Sequence, residues 1–163
     1  MTSGGHSSNP GNAAWSGRLK ELGIELPQVV APLAAYVPAV RTGNLVYTAG
    51  QLPISAGELL ATGKVGAEVS AEDAKALARQ CALNALAAID ALVGIDSVVK
   101  IVKVVGFVAS APEFGGQPGV INGASELFGE VFGEAGAHAR SAVGVSELPR
   151  NTPVEVEVIA EVA

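Results

Sequence analysis

The sequence predicts an α+β domain, one mixed β-sheet with two helices packed on one of its faces, and three observations predict it. Two β-rich runs (YVPAV and LVYTAGQL) flank a polar turn around Gly43. Apolar residues then recur at helical spacing over residues 71–93, and a β-branched run, VVKIVKVVGFVA, follows at once. A segment of valine and glutamate in alternation, VEVEVIAEV, closes the chain. Period 3.6 between segments of period 2 or of dense β-branching is the mark of helices laid on a sheet.

Taken in order, residues 1–13 are rich in Gly, Ser and Asn without periodicity, so they are expected to be a disordered tail before a single domain over 14–163. Trp15, Leu19 and Leu22 share one helical face, and Gly23 ends that short helix. Pro27 and Pro32 keep the following segment extended. Residues 36–51 predict a hairpin turning through Arg41, Thr42, Gly43 and Asn44. A second turn at residues 55–57 leads to a short strand over 59–62. Ser70 is a suitable N-cap for the helix over 71–93, and Glu72 and Asp73 place negative charge on its first turn. Its stripe comprises Ala74, Leu77, Ala78, Cys81, Ala82, Ala85, Ala88, Ile89 and Leu92. The run over 98–109 lacks alternation, as a strand covered on both faces would, and the strand–helix–strand order suggests a crossover. Residues 112–119 read as loop and 120–133 as the second helix. The last two strands, 140–145 and 154–162, are expected to pair as a hairpin across SELPRNTP.

Composition narrows the function classes. Of the 163 residues 49% are apolar and 16% charged, against roughly 25% charged in soluble domains. No stretch approaches the ~20 consecutive apolar residues that span a bilayer, and the N-terminus lacks signal-peptide regions. The apolar surplus therefore points to a subunit interface, and the chain reads as a cytoplasmic oligomer with no membrane partner. A net charge of −6 with ten scattered Lys and Arg argues against nucleic acid. The single cysteine, Cys81, reads as a buried small hydrophobe.

Zinc spacing, a Walker loop and a nucleophile elbow are all absent from the sequence. Gly115, Gly116 and Gly119 do not follow a strand in dinucleotide-binding register, and His138 and Ser141 point to opposite faces of a strand. Arg140 stands out in the apolar run ARSAVGV. Local sequence favours a structural ion pair with Glu155 or Glu157 on the neighbouring strand, and the alternative is a bidentate clamp for a substrate carboxylate. Glu155 reads equally as one of a solvated acidic alternation, and Tyr36 as a strand aromatic with its hydroxyl at the surface.

Order and spacing add a further signal. Tyr36-Val37, then residues 43–53 (GNLVYTAGQLP), then Ala139-Arg140-Ser141 through Leu148-Pro149 to residues 154–157 (VEVE) together resemble the YjgF/RidA family, also described as endoribonuclease L-PSP, from about Pro32 to the C-terminus. That resemblance implies a chorismate-mutase-like fold, a homotrimer with clefts between subunits, and cofactor-free deamination of reactive 2-imino and 2-enamino acids. It further implies that Arg140 binds the substrate carboxylate, Glu155 attends the attacking water and Tyr36 stands at the cleft. Gly50, Ala142, Asn122 and His138 join them as substrate-binding residues. Ala142 offers a backbone N–H where many members have cysteine, and no metal or cofactor is implied.

Several positions depart from the family pattern. The chain has a longer N-terminus, Ala49 where serine is common, and Ala137-His138 where an aromatic residue and a proline are frequent; residues 115–136 also differ. His138 either shapes the pocket or is an exposed strand-edge histidine. Two other functions compete with deamination: a non-catalytic trimeric binder of small carboxylate metabolites, and an endoribonuclease, against which the acidic balance weighs.

Overall fold

A computed structural model describes residues 14–32 and 34–163; the expected disordered tail lies outside them. Among the described residues seven strands and three α-helices follow one another: α1 (Trp15–Glu21), β1 (Ala39–Thr42), β2 (Leu45–Thr48), β3 (Ile54–Ser55), β4 (Glu58–Leu59), α2 (Ala71–Val93), β5 (Val98–Ala109), α3 (Gln117–Phe132), β6 (Ala139–Val145) and β7 (Val154–Val162). The main sheet runs β1-β2-β7-β5-β6, and β3 and β4 form a small separate hairpin. Only β5 and β6 are parallel, which makes the sheet mixed.

The alternation of β7 decides the layering. Val154, Val156, Val158, Ala160 and Val162 are all 0–1% exposed and face α2 and α3. Glu155, Glu157, Ile159 and Glu161 point to the other side. Burying the whole apolar row needs a neighbour on each edge, and β7 sits centrally between β2 and β5.

The expected hairpin of the last two strands is therefore corrected. β6 lies outside β5 and parallel to it, with Val104 opposite Arg140 and Phe107 opposite Val143. α3 supplies the crossover that a parallel pair requires. The connector after β6 then steps over β5, turning at Arg150 and Asn151, both with φ of 58°. Turn-rich composition suits either connection, so sequence adjacency misled.

Helix α2 keeps its expected bounds, with the Ser70 hydroxyl accepting from the Asp73 N–H. It is the one helix among the described residues long and apolar enough by composition to cross a membrane, yet its alanine stripe is buried against the sheet as a core helix. The small residues let α3 approach closely: a Cβ on Gly123 would overlap the Lys75 carbonyl oxygen. α3 starts three residues before its expected first residue. Pro118 is tolerated in the first turn, where its missing N–H has no partner to lose, and Gln117 donates to the Phe114 carbonyl at 2.7 Å. The short hairpin also differs from expectation, turning at Ala56 and Gly57 (φ 51° and 80°) into β4 rather than a strand over 59–62.

α1 closes one end of the molecule. Trp15 Nε1 donates to the Val98 carbonyl at 2.8 Å, and its ring meets Phe132 edge-on at 5.1 Å. Ser16 donates twice to the Asp96 carboxylate, through its N–H at 2.9 Å and its hydroxyl at 2.7 Å. Those bonds hold the Asp96 carboxyl below its usual value.

Candidate functional site

The residues singled out from sequence fall into two groups, one on each side of the sheet. The first surrounds Glu155. Reciprocal backbone bonds between Gln51 and Val156, at 2.8 and 3.0 Å, lay the segment after β2 along β7. Gly50 is thereby set beside Glu155, and a Cβ there would come within 2.9 Å of the Glu155 Cδ and Oε1. Only a residue without a side chain leaves the carboxyl its position. The two line a cleft of about 220 Å³ with Tyr36, Pro38, Gln51 and Pro149.

The segment beyond Gly50 is held from beneath. Asn84, fully buried on α2, donates to the carbonyls of Leu52 and Ile54 at 2.9 Å each and accepts from Gln80 at 3.1 Å. Glu155 is half-buried, and burial first, then the nearby charge of Glu157, raises its pKa above the ordinary glutamate value. A carboxyl raised this way holds its proton more readily than an exposed glutamate, which suits it to proton transfer.

The second group lies at β6 and α3. Arg140 pairs with Val104, which faces the helices. Its Nη1 donates to Asn122 Oδ1 at 2.7 Å and to Ser125 Oγ at 3.3 Å. Ala142, two residues on, shares that face and packs against the core. His138 is half-buried, edge-on to Phe128 at 5.9 Å, with Nε2 2.8 Å from Ser125 Oγ and Nδ1 2.6 Å from the Gly136 carbonyl oxygen. It is not the exposed strand-edge histidine that one expectation allowed.

The ion pair of Arg140 with Glu155 or Glu157 is corrected by the strand order. β5 separates β6 from β7, and Glu155 lies opposite Phe107, on the face away from the helices. Among the described residues no acidic side chain lies within ion-pair distance of Arg140. One chain therefore carries Tyr36, Gly50 and Glu155 on one side and Asn122, His138, Arg140 and Ala142 on the other. A half-buried guanidinium with only neutral partners is suited to an anion.

Cys81 is fully buried, and burial, then the charge of Glu155, pushes its thiol well above the usual value. It is the inert small hydrophobe expected. Among the described residues no group of three His, Cys, Asp or Glu converges to hold a metal. Two residues escaped the sequence reading, Ser125 and Asn84. Ser125 stands one helical turn after Asn122, a spacing that puts both on one face. Asn84 interrupts the apolar stripe of α2, and a polar residue at a core position is itself a signal.

Known proteins are similar to this chain in sequence and in structure. The chain is 42% identical over 145 residues to Protein TCP17 of Trypanosoma cruzi, covering 88% of this chain and 91% of that protein. It is 36% identical over 132 residues to the 2-iminobutanoate/2-iminopropanoate deaminase of Escherichia coli K12, covering 80% and 89%. Among solved structures, the protein Atu1372 of unknown function from Agrobacterium tumefaciens superposes with a TM-score of 0.84 at 45% identity, over 92% of this chain and 93% of that one. The family described as endoribonuclease L-PSP matches residues 27–162, which span every element from β1 to β7, and the chain belongs to that family, the YjgF/RidA proteins.

Proposed function

We propose that the protein hydrolyses small reactive 2-imino and 2-enamino acids without a cofactor, in clefts built between copies of the chain. The observation that carries this is a pair of charged groups without an ion-pair partner among the described residues, on opposite sides of one sheet. Arg140 has no acidic partner among the described residues, and Glu155 is held half-buried over Gly50 with a raised pKa. Neither completes a site alone. A second copy whose Arg140 side meets the Glu155 side of the first would bring a carboxylate clamp to a proton carrier, and a ring of three copies closes such a head-to-tail contact. The similarity to the Escherichia coli deaminase supports the same reading.

The chemistry needs little more. Arg140 binds the carboxylate of the imine and so fixes the adjacent C=N carbon beside Glu155. As water adds to the protonated imine, the Glu155 carboxylate takes one of its protons and a neutral carbinolamine forms. Glu155 returns that proton to the amine nitrogen, and as the C–N bond breaks the hydroxyl proton leaves with the nitrogen, giving a 2-oxo acid and ammonium. Tyr36 and Gly50 shape the wall on the Glu155 side, while Asn122 and Ala142 belong to the Arg140 side.

The test follows 2-iminobutyrate, formed in the cuvette from threonine by a dehydratase. Acceleration by the protein that falls about 100-fold or more in Arg140→Ala, roughly 2.7 kcal/mol of lost transition-state stabilisation, is the expected result. No acceleration by a well-folded oligomer would reject this substrate.

A further inference from the structure

His138 and Ser125 both lie against the Arg140 group, and their hydrogen bonds can be assigned by elimination. The Gly136 carbonyl can only accept, so His138 Nδ1 carries the proton and donates to it at 2.6 Å. In the neutral ring Nε2 is then an acceptor, and it takes the Ser125 hydroxyl proton at 2.8 Å. With its proton committed, Ser125 Oγ presents lone pairs, and one receives an Arg140 Nη1–H at 3.3 Å. The other Nη1 proton goes to Asn122 Oδ1 at 2.7 Å.

Two consequences follow from that count. Both ring nitrogens of His138 are engaged, so the imidazole keeps no polar atom for a ligand. Both protons of Nη1 are also spent, while none of the hydrogen bonds uses Nε or Nη2. A guanidinium presents five N–H groups in a rigid fork, and its Nε–Nη2 edge matches the two oxygens of a carboxylate.

We propose that Ser125 and His138 are positioning residues that hold Arg140 by its Nη1, so that a substrate carboxylate docks side-on against the Nε–Nη2 edge. The inference rests on the carboxylate-binding role of Arg140 given above. His138 is thereby moved from substrate-binding candidate to the far end of a chain that runs from the Gly136 carbonyl through imidazole and hydroxyl to the guanidinium. The edge-to-face contact with Phe128 keeps its ring in that plane of action.

The experiment uses the full chain and 2-oxobutyrate, a 2-oxo carboxylate, as probe, with 2-iminobutyrate turnover beside it. Ser125→Ala and His138→Leu are each expected to weaken 2-oxobutyrate binding and raise KM about tenfold while kcat holds, the pattern of lost uniform binding. His138→Gln, which restores an acceptor for the Ser125 hydroxyl, is expected to recover most of the loss. In an Arg140→Ala background the further change to Ser125→Ala should cost nothing, because its effect passes through the guanidinium. An equal cost in both backgrounds, or full affinity in Ser125→Ala and His138→Leu, overturns the proposal. A ¹⁵N-arginine spectrum adds a readout free of ligand. Restricted rotation of the Arg140 guanidinium should be lost in Ser125→Ala, and a signal unchanged by that substitution also overturns it. Failure of the carboxylate role itself looks different: Arg140→Ala would then bind 2-oxobutyrate as wild type does, while the guanidinium signal would still depend on Ser125.

Discussion

At Gly50, the atoms that an added Cβ would meet belong to the free end of Glu155 rather than to backbone. Gly50→Ala is therefore expected to fold with stability within about 0.5 kcal/mol of wild type and still to lose roughly tenfold or more in deamination, since the carboxyl is pushed aside. Parallel urea titrations and rates would separate the two effects. Glu155 itself carries a cost. Its folded pKa is raised, so between the ordinary glutamate value and the raised one the folded chain holds a proton that the unfolded chain has released. Stability then falls as pH rises through that window, and the deficit persists at neutral pH. Glu155→Gln is expected to raise the denaturation midpoint at about pH 7 and to give no gain below about pH 4. It should also abolish turnover. An unchanged midpoint at neutral pH would remove burial as the cause of the shift.

Among elements, the contact of α2 with α3 has the least room. The Lys75 carbonyl beneath Gly123 is backbone and cannot swing away, so Gly123→Ala is expected to cost about 1–3 kcal/mol, read from the urea midpoint. Gly123 sits between Asn122 and Ser125, so the same substitution should also weaken carboxylate binding. The elements that were legible in sequence are those with a sustained local signal. α2 and β5 keep the expected bounds, and so does β7, because capping, β-branching and alternation all point the same way. The position of β6 was not legible. Nothing local distinguishes a hairpin from a step across β5, and the choice rests on burying the valines of β7 on both edges. The sides of the candidate site inherit that difficulty. Arg140 and Glu155 could be singled out by residue type and by their setting in familiar motifs, but which face each one occupies depends on that strand order. Ser125 was invisible for another reason: a helix serine acquires meaning only from what packs above it.

For the whole molecule, the sheet has one face buried under two helices and one left open. The open face carries Val40, Tyr47, Ile159, Phe107 and Val143, interleaved with Glu155, Glu157, Glu161 and Lys103. Val40, Tyr47 and Val143 are each more than a third exposed in the single chain. Such a mixed surface suits contact with another copy whose charges are placed to answer these, as the proposed clefts require.

Placing Arg140 and Glu155 on opposite sides of one sheet has a genetic consequence. Damage to the two residues should be complementary: chains with Arg140→Ala still offer a sound Glu155 side, and chains with Glu155→Gln still offer a sound Arg140 side. Mixed in equal amounts and allowed to exchange subunits in a closed ring, two inactive proteins should regain about a quarter of the wild-type activity, the share of clefts that draw a sound half from each. A mixture that stays inactive would mean that each chain must complete its own site.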